Sequence, residues 1–99
     1  MELCGFRESL KDAVPPEGLS TALESLWWDA KGSWEKAHET AQKDEGRDSC
    51  WVHAYLHRAK GDVSNAKFWY RSAQRPAGYG DLKTEWESIA QTLLREREA

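Results

Sequence analysis

Cys50, His53 and His57 are the residues whose types and spacing could support chemistry. They stand at positions i, i+3 and i+7, so on a helix with about 100° per residue their side chains project within about 60° of one another. Thiol and imidazole groups are ligands that suit Zn²⁺. His38 lies on the preceding predicted helix and could add a fourth ligand. The sequence therefore permits a metal site formed by His38, Cys50, His53 and His57.

The same stripe admits other interpretations, and the sequence favours them over a metal. It contains no Cys-x-x-Cys or His-Glu-x-x-His motif. The stripe could pack between helices as polar core or line an exposed groove, and His38 could be a core histidine that donates to a carbonyl or carboxylate. Nucleophilic catalysis would require Cys50 to contact a base such as His38, which the spacing does not establish. We therefore expect no enzymatic activity and no cofactor.

Two aromatic residues fall outside the apolar stripes of their predicted helices. Trp28 lies opposite the stripe of the first clear helix, and Phe68 lies apart from the small and aromatic residues of a later one. Exposed aromatic side chains often anchor a partner, although an inner helix of a small domain has two buried faces that could cover both residues. We predict a partner-binding surface made of Trp28, His53, His57 and Phe68, which imidazole titration could make sensitive to pH.

Glycine and proline positions divide the chain into helices. Breaks fall at residues 15–18, at Gly32, Gly46 and Gly61, and at residues 76–80. Between these breaks the apolar residues recur with a helical period and nowhere alternate as in a strand. The predicted fold is an all-α, helical-repeat-like array in a single domain over residues 1–99. Its elements are two αα-hairpins at 19–43 and 48–75, a capping helix at 81–96 with the apolar stripe Leu82, Trp86, Ile89, Ala90 and Leu93, and a short helix at 8–13.

An internal repeat supports the two hairpins. Residues 30–37 and 59–66 each begin with Ala-Lys-Gly, followed by an apolar residue two positions and an alanine five positions after the glycine. Glycine permits the left-handed conformation that ends a helix. The alanine would let the two helices of a hairpin approach closely.

The run from Gly61 to Ala73 resembles the turn and second helix of tetratricopeptide and Sel-one-like repeats. It combines glycine and aspartate with Ala66 and the sequence Trp69-Tyr70-Arg71. The resemblance extends over residues 48–76 and, more weakly, over 19–45. It implies stacked hairpins with a concave side that binds an extended peptide.

A second resemblance is narrower. The segments 26–32 and 51–58, with Trp69-Tyr70-Arg71, are similar to a family of small uncharacterised bacterial proteins. This similarity implies a bacterial origin.

Composition and charge exclude several classes of protein. Fourteen Lys and Arg against 17 Asp and Glu give a net charge of -3, so we expect neither a nucleic-acid-binding face nor attraction to anionic membranes. Without a signal peptide, a long apolar run or a set of cysteine pairs, the chain is predicted to be cytoplasmic with free thiols. The predicted function is a non-enzymatic module that binds a protein or peptide and could form a homodimer. The alternative is a metal- or small-molecule-binding protein that uses the His/Cys cluster.

Overall fold

The computed structural model describes residues 1–98, with side chains described through residue 96, and every regular element in that range is helical. The all-α prediction is therefore confirmed. The helices are α1 (Leu3–Glu8), α2 (Thr21–Ala30), α3 (Trp34–Gln42), α4 (Arg47–Ala59), α5 (Val63–Ala73) and α6 (Leu82–Glu98), and a 3-10 turn covers Ser9–Lys11.

Side-chain caps fix where several helices begin. The Ser20 hydroxyl accepts a hydrogen bond from the backbone N–H of Leu23 at 3.2 Å, at the start of α2. Asp62 does the same for Asn65 at 3.3 Å, at the start of α5. Each cap satisfies a backbone donor that the helix itself leaves unpaired, which contributes about 1 kcal/mol.

The turns that follow α2 and α4 have the same geometry. Gly32 and Gly61 adopt φ of +89° and +86°, and the residue after each glycine donates its N–H to the carbonyl five positions earlier, at 3.0 Å and 2.9 Å. This is the Schellman pattern, in which a left-handed residue closes the helix. The second turn brings Asp62 back beside His57, because its N–H bonds to the His57 carbonyl.

Helix α4 lies at the centre of the domain. It packs against α5, α3, α2 and α6, while α2 also packs against α3. Every residue of α4 from Ser49 to Leu56 is buried. Polar side chains of this stretch, such as His53, are therefore buried together with the apolar ones.

Helix α6 covers the side that α2 and α4 form together. The indole N–H of Trp86 donates to the Leu26 carbonyl at 3.1 Å, and Phe6 of α1 stacks on the Trp86 ring with centroids 5.8 Å apart. Ile89 and Leu93 are also buried. A peptide could reach this side only if α6 moved away.

Two details of the predicted elements are wrong. Leu82, placed on the buried stripe of the last helix, is 37% exposed because it is the first residue of α6 and lies beyond the interface. The short helix expected at 8–13 is replaced by α1 and the 3-10 turn. The helix lies earlier in the chain because Phe6 is buried against Trp86. These two residues are far apart in sequence, so local patterns could not predict their contact.

Two further properties concern the chain as a whole. No helix within residues 1–98 combines the length and apolar character required to cross a membrane. Both thiols are free, with Cys4 exposed and Cys50 buried.

Replacing Trp86 and Leu82 in turn tests the docking of α6. Trp86→Ala should lower the free energy of unfolding by about 3–5 kcal/mol, because it removes a large buried side chain. Leu82→Ala, one turn away and half-exposed, should change it by less than about 1 kcal/mol. Urea unfolding followed by far-ultraviolet circular dichroism measures both. Equal stability of the two variants would show that α6 is not docked through Trp86.

Candidate metal centre

Three imidazoles from two helices converge on one point. His38 comes from α3, and His53 and His57 lie one turn apart on α4. Their ligand nitrogens all lie within 4.8 Å of one another. Nε2 of His38 and Nε2 of His53 are 3.0 Å apart. One of these nitrogens therefore carries the proton and the other accepts it.

Tryptophan rings hold two of the imidazoles in place. Trp34 stacks on His38 with centroids 4.7 Å apart and an 11° angle between the planes, and Trp69 stacks on His53 at 4.0 Å and 15°. Trp34 is itself fixed, because its indole N–H donates to the Leu56 carbonyl at 2.8 Å. These stacked rings restrict the rotation of the imidazoles, so the cluster is preorganised.

Burial keeps the three imidazoles neutral. It is the largest cause that lowers the pKa of each ring, and it brings the pKa of His53 to about 4, with help from the neighbouring imidazoles. The Lys60 ammonium also lowers the pKa of His38 and of His57, whereas Asp62 acts in the opposite direction on His57. At neutral pH each ring therefore keeps one unprotonated nitrogen, which is the form that binds a metal ion. Of the two Nε2 atoms that face each other in His38 and His53, one carries its proton and would have to shift it to Nδ1 before both could bind an ion.

Asp62 lies behind His57. One of its carboxylate oxygens is 3.8 Å from Nδ1 of His57, which is longer than a hydrogen bond but close enough for a small rotation to form one. Hydrogen bonds from Asn65 lower the pKa of Asp62 and hold it ionised. A carboxylate that accepts the second N–H of a ligating histidine orients the ring and raises its basicity.

Cys50 is not part of this cluster. Its Sγ donates to the Glu45 carbonyl at 3.7 Å. Burial, together with the charges of Asp44 and Glu45, raises the pKa of the thiol, so at neutral pH it is neither a thiolate ligand nor an activated nucleophile. Of the four candidate ligands, the structure brings together His38, His53 and His57.

A surface pocket of about 430 Å³ adjoins His53. Phe68 lies at its rim, is 53% exposed and meets Trp69 edge-on, with ring centroids 5.1 Å apart. The pocket lining is Ala41, Gln42, Asp44, Glu45, Cys50, His53, Phe68, Trp69 and Ser72. Aromatic and acidic groups therefore surround one edge of the imidazole cluster.

Of the four predicted partner-binding residues, two line the pocket beside the imidazole cluster. His53 and Phe68 line the same pocket, and His57 belongs to the imidazole cluster. Trp28 lies elsewhere on α2, half-buried against Trp27, with the Lys36 ammonium 4.3 Å above its ring. The sequence did not identify Trp34 and Trp69 as the rings that enclose the histidines. Both stand at helical positions that suit ordinary core packing, and only the packing of α3 and α5 on α4 reveals their role.

Comparison of the chain with protein-family models, curated proteins and solved structures finds no match. The geometry of the imidazole cluster is therefore the basis for assigning a function.

The buried imidazoles predict that the metal-free protein loses stability in mild acid. Imidazoles of the unfolded chain titrate near 6.5, and His53 in the folded protein near 4. As pH falls from about 6.5 towards 4, the unfolded chain binds a proton that the folded chain does not, so stability declines. Above that window His53 contributes no pH dependence.

Urea unfolding at about pH 7 and pH 5 measures this loss. His53→Gln, which keeps a polar group near His38, should show a smaller loss than the unsubstituted protein, by about 1–3 kcal/mol. Comparing the two proteins cancels the titration of the other residues. The same pH dependence in both would contradict the buried, neutral state of His53.

Proposed function

We propose that the protein binds one divalent transition-metal ion through His38, His53 and His57. The observation that carries this proposal is the convergence of three imidazole nitrogens within 4.8 Å of one another. Two of them are held by stacked tryptophans. Such a set of nitrogen donors is the kind that Zn²⁺ uses in proteins.

The distances fit an ion of this size. With zinc–nitrogen bonds of 2.0–2.1 Å, two ligands of a tetrahedral ion are about 3.3 Å apart. The nitrogens of His38 and His53 are already 3.0 Å apart. Once the proton between them has moved to an Nδ1 atom, they would separate by a few tenths of an ångström. The longest separation, at most 4.8 Å, would close by about 1.5 Å. His38 and His57 are less enclosed than His53, so we expect these two rings to make that adjustment.

The donor type determines the class of metal. Imidazole nitrogens suit zinc, copper, nickel and iron, whereas calcium and magnesium require oxygen ligands. The cluster of described side chains that can share an ion contains no carboxylate. We therefore take Zn²⁺ as the ion that this site best accommodates. Cu²⁺ is expected to bind more tightly in a purified sample, as it does at most nitrogen sites.

Titration of metal-free protein with Zn²⁺ tests the proposal. We expect one ion per chain at neutral pH, measured by calorimetry or by competition with a coloured chelator. His38→Gln and His57→Gln should each weaken binding by more than about 100-fold, because loss of a direct ligand exceeds the tenfold to hundredfold effect of removing a group behind a ligand. Both residues are half-buried, so the variants should fold.

Two further variants complete the test, one expected to leave zinc affinity unchanged and one expected to lower it less than loss of a ligand does. Cys50→Ala should leave zinc affinity unchanged, because its Sγ is directed at Glu45. Asp62→Asn should weaken binding by about 10- to 100-fold, as loss of an orienting carboxylate does. Zinc binding that survives both histidine substitutions, or that shows no defined stoichiometry, would contradict the proposed site.

We also propose a second function, the binding of a peptide at the Phe68 pocket. The observation that favours it is the 53% exposure of Phe68 at the rim of a pocket that also contains Asp44 and Glu45. Burial of an exposed aromatic ring stabilises an interface. The two carboxylates would attract a basic residue of the peptide. A suitable ligand thus combines an apolar anchor with a nearby Lys or Arg.

A phage-displayed library of random peptides tests this second function. Selection on the immobilised protein should enrich peptides that pair a bulky apolar residue with a basic one. Phe68→Ser should abolish their binding, whereas Val63→Ser, an equally exposed position on the same helix, should not. If no peptide is enriched, or if both variants bind equally, Phe68 is not an anchor.

A further inference from the structure

The imidazole cluster supplies three ligands, and a tetrahedral ion requires four. Among the side chains described, the group close enough to share an ion contains His38, His53 and His57, with no carboxylate or thiol. Closed structural zinc sites have four protein ligands. Sites with three protein ligands complete the coordination with water or another small molecule.

Cys50 stands in the same helical stripe but is directed away from the cluster. Its Sγ donates to the Glu45 carbonyl, which belongs to the loop before α4. To reach the ion, the thiol would have to give up this bond and its proton, and its side chain would have to change rotamer. Cys50 is therefore a possible fourth ligand by sequence, but in the fold its thiol does not lie with the three imidazoles.

Solvent has access to the edge of the cluster. His38 and His57 are half-buried rather than enclosed, and the pocket of about 430 Å³ lies next to His53. A volume of this size holds several water molecules. This pocket is the route by which we expect a small molecule to approach an ion held by the three rings.

The uncompensated charge of the ion itself favours an anion at the fourth position, against the carboxylates of Asp44 and Glu45 that line the adjoining pocket. Three neutral imidazoles leave both charges of a divalent ion uncompensated, and Lys60 lies nearby with its ammonium 3.8 Å above the Trp34 ring. Asp62 supplies one negative charge behind His57. In a half-buried site uncompensated charge is costly, so a negatively charged ligand would bind more favourably than a neutral one.

We infer that the ion held by the three histidines keeps one exchangeable coordination position, and that a small monodentate anion such as hydroxide or azide occupies it. The hydroxide would form when a bound water loses a proton to solvent. This inference rests on the proposed function. It adds that the centre is open to an external ligand rather than closed by the protein.

Cobalt-loaded protein provides the test, because the visible bands of Co²⁺ respond to its ligands. One equivalent of Co²⁺ is added to metal-free protein, and its spectrum is recorded as azide is added. We expect a saturable shift of the cobalt bands with one azide per ion. Cys50→Ala should give the same spectrum and the same shift. His57→Gln should lose the cobalt bands at one equivalent, which would place the azide effect at this cluster.

Three results separate the possible failures. Cobalt bands that azide does not alter would overturn the open position while leaving metal binding intact. A sulfur-to-cobalt charge-transfer band that disappears in Cys50→Ala would identify Cys50 as the fourth ligand and would also overturn it. If no cobalt binds at one equivalent, the proposed metal function itself fails. In the first of these cases, where cobalt binds but azide has no effect, sedimentation of the cobalt-loaded protein would show whether a second copy of the chain supplies the fourth ligand.

Discussion

The enclosure of α4 is the constraint on which the rest of the structure depends. Four helices surround it, so its residues from Ser49 to Leu56 are all buried, including the polar ones. A buried polar group without a partner costs about 1–3 kcal/mol. Each polar residue of this stretch has a partner: Ser49 donates to Asp44, the Tyr55 hydroxyl pairs with Asp29, and His53 pairs with His38. The His38–His53 contact thus satisfies one of the buried polar groups that the central position of α4 creates.

The two sides of α4 satisfy this constraint in different ways. On the side of α6, Arg58 pairs with Glu85 at 2.7 Å, and the Tyr70 hydroxyl donates to the same carboxylate. That network joins α4, α5 and α6 through full charges and direct hydrogen bonds. On the side of α3, three neutral rings contact one another and two tryptophans, and the direct hydrogen bonds are the His38–His53 contact and the bond from the Trp34 indole N–H to the Leu56 carbonyl. The first side joins the helices through an ion pair, whereas the second joins them through neutral rings whose nitrogens could exchange their mutual hydrogen bond for bonds to an ion.

Sequence periodicity predicted the helical class and the shared arc of His53 and His57, because both follow from local geometry. It placed Phe68 outside the apolar stripe of its helix but left open whether a second neighbour covers that ring. It could not show how Cys50 and His38 relate to that arc. Residues on one helical stripe need not share a partner: at the start of α4 the Glu45 carbonyl attracts the thiol, while α3 meets the imidazoles further along. Likewise, the sequence placed the first short helix too late because the position of α1 depends on contact between Phe6 and Trp86. Helical periodicity describes a face but not the helix that covers it.

The low proton affinity of the imidazoles has a further consequence for the charge of a bound ion. Burial opposes a single positive charge on His53 strongly enough to bring its pKa to about 4, and the same desolvation acts against a divalent ion. Three directed coordinate bonds offset much of that cost, which one proton on one ring cannot do. The remaining charge is opposed by Lys60 and compensated in part by Asp62. An anion on the ion itself is the most direct further compensation, because it lies at bonding distance and its attraction is little screened. Under the proposed metal function, the burial that makes the cluster a poor base thus also favours an anion from solution as the last ligand of the ion.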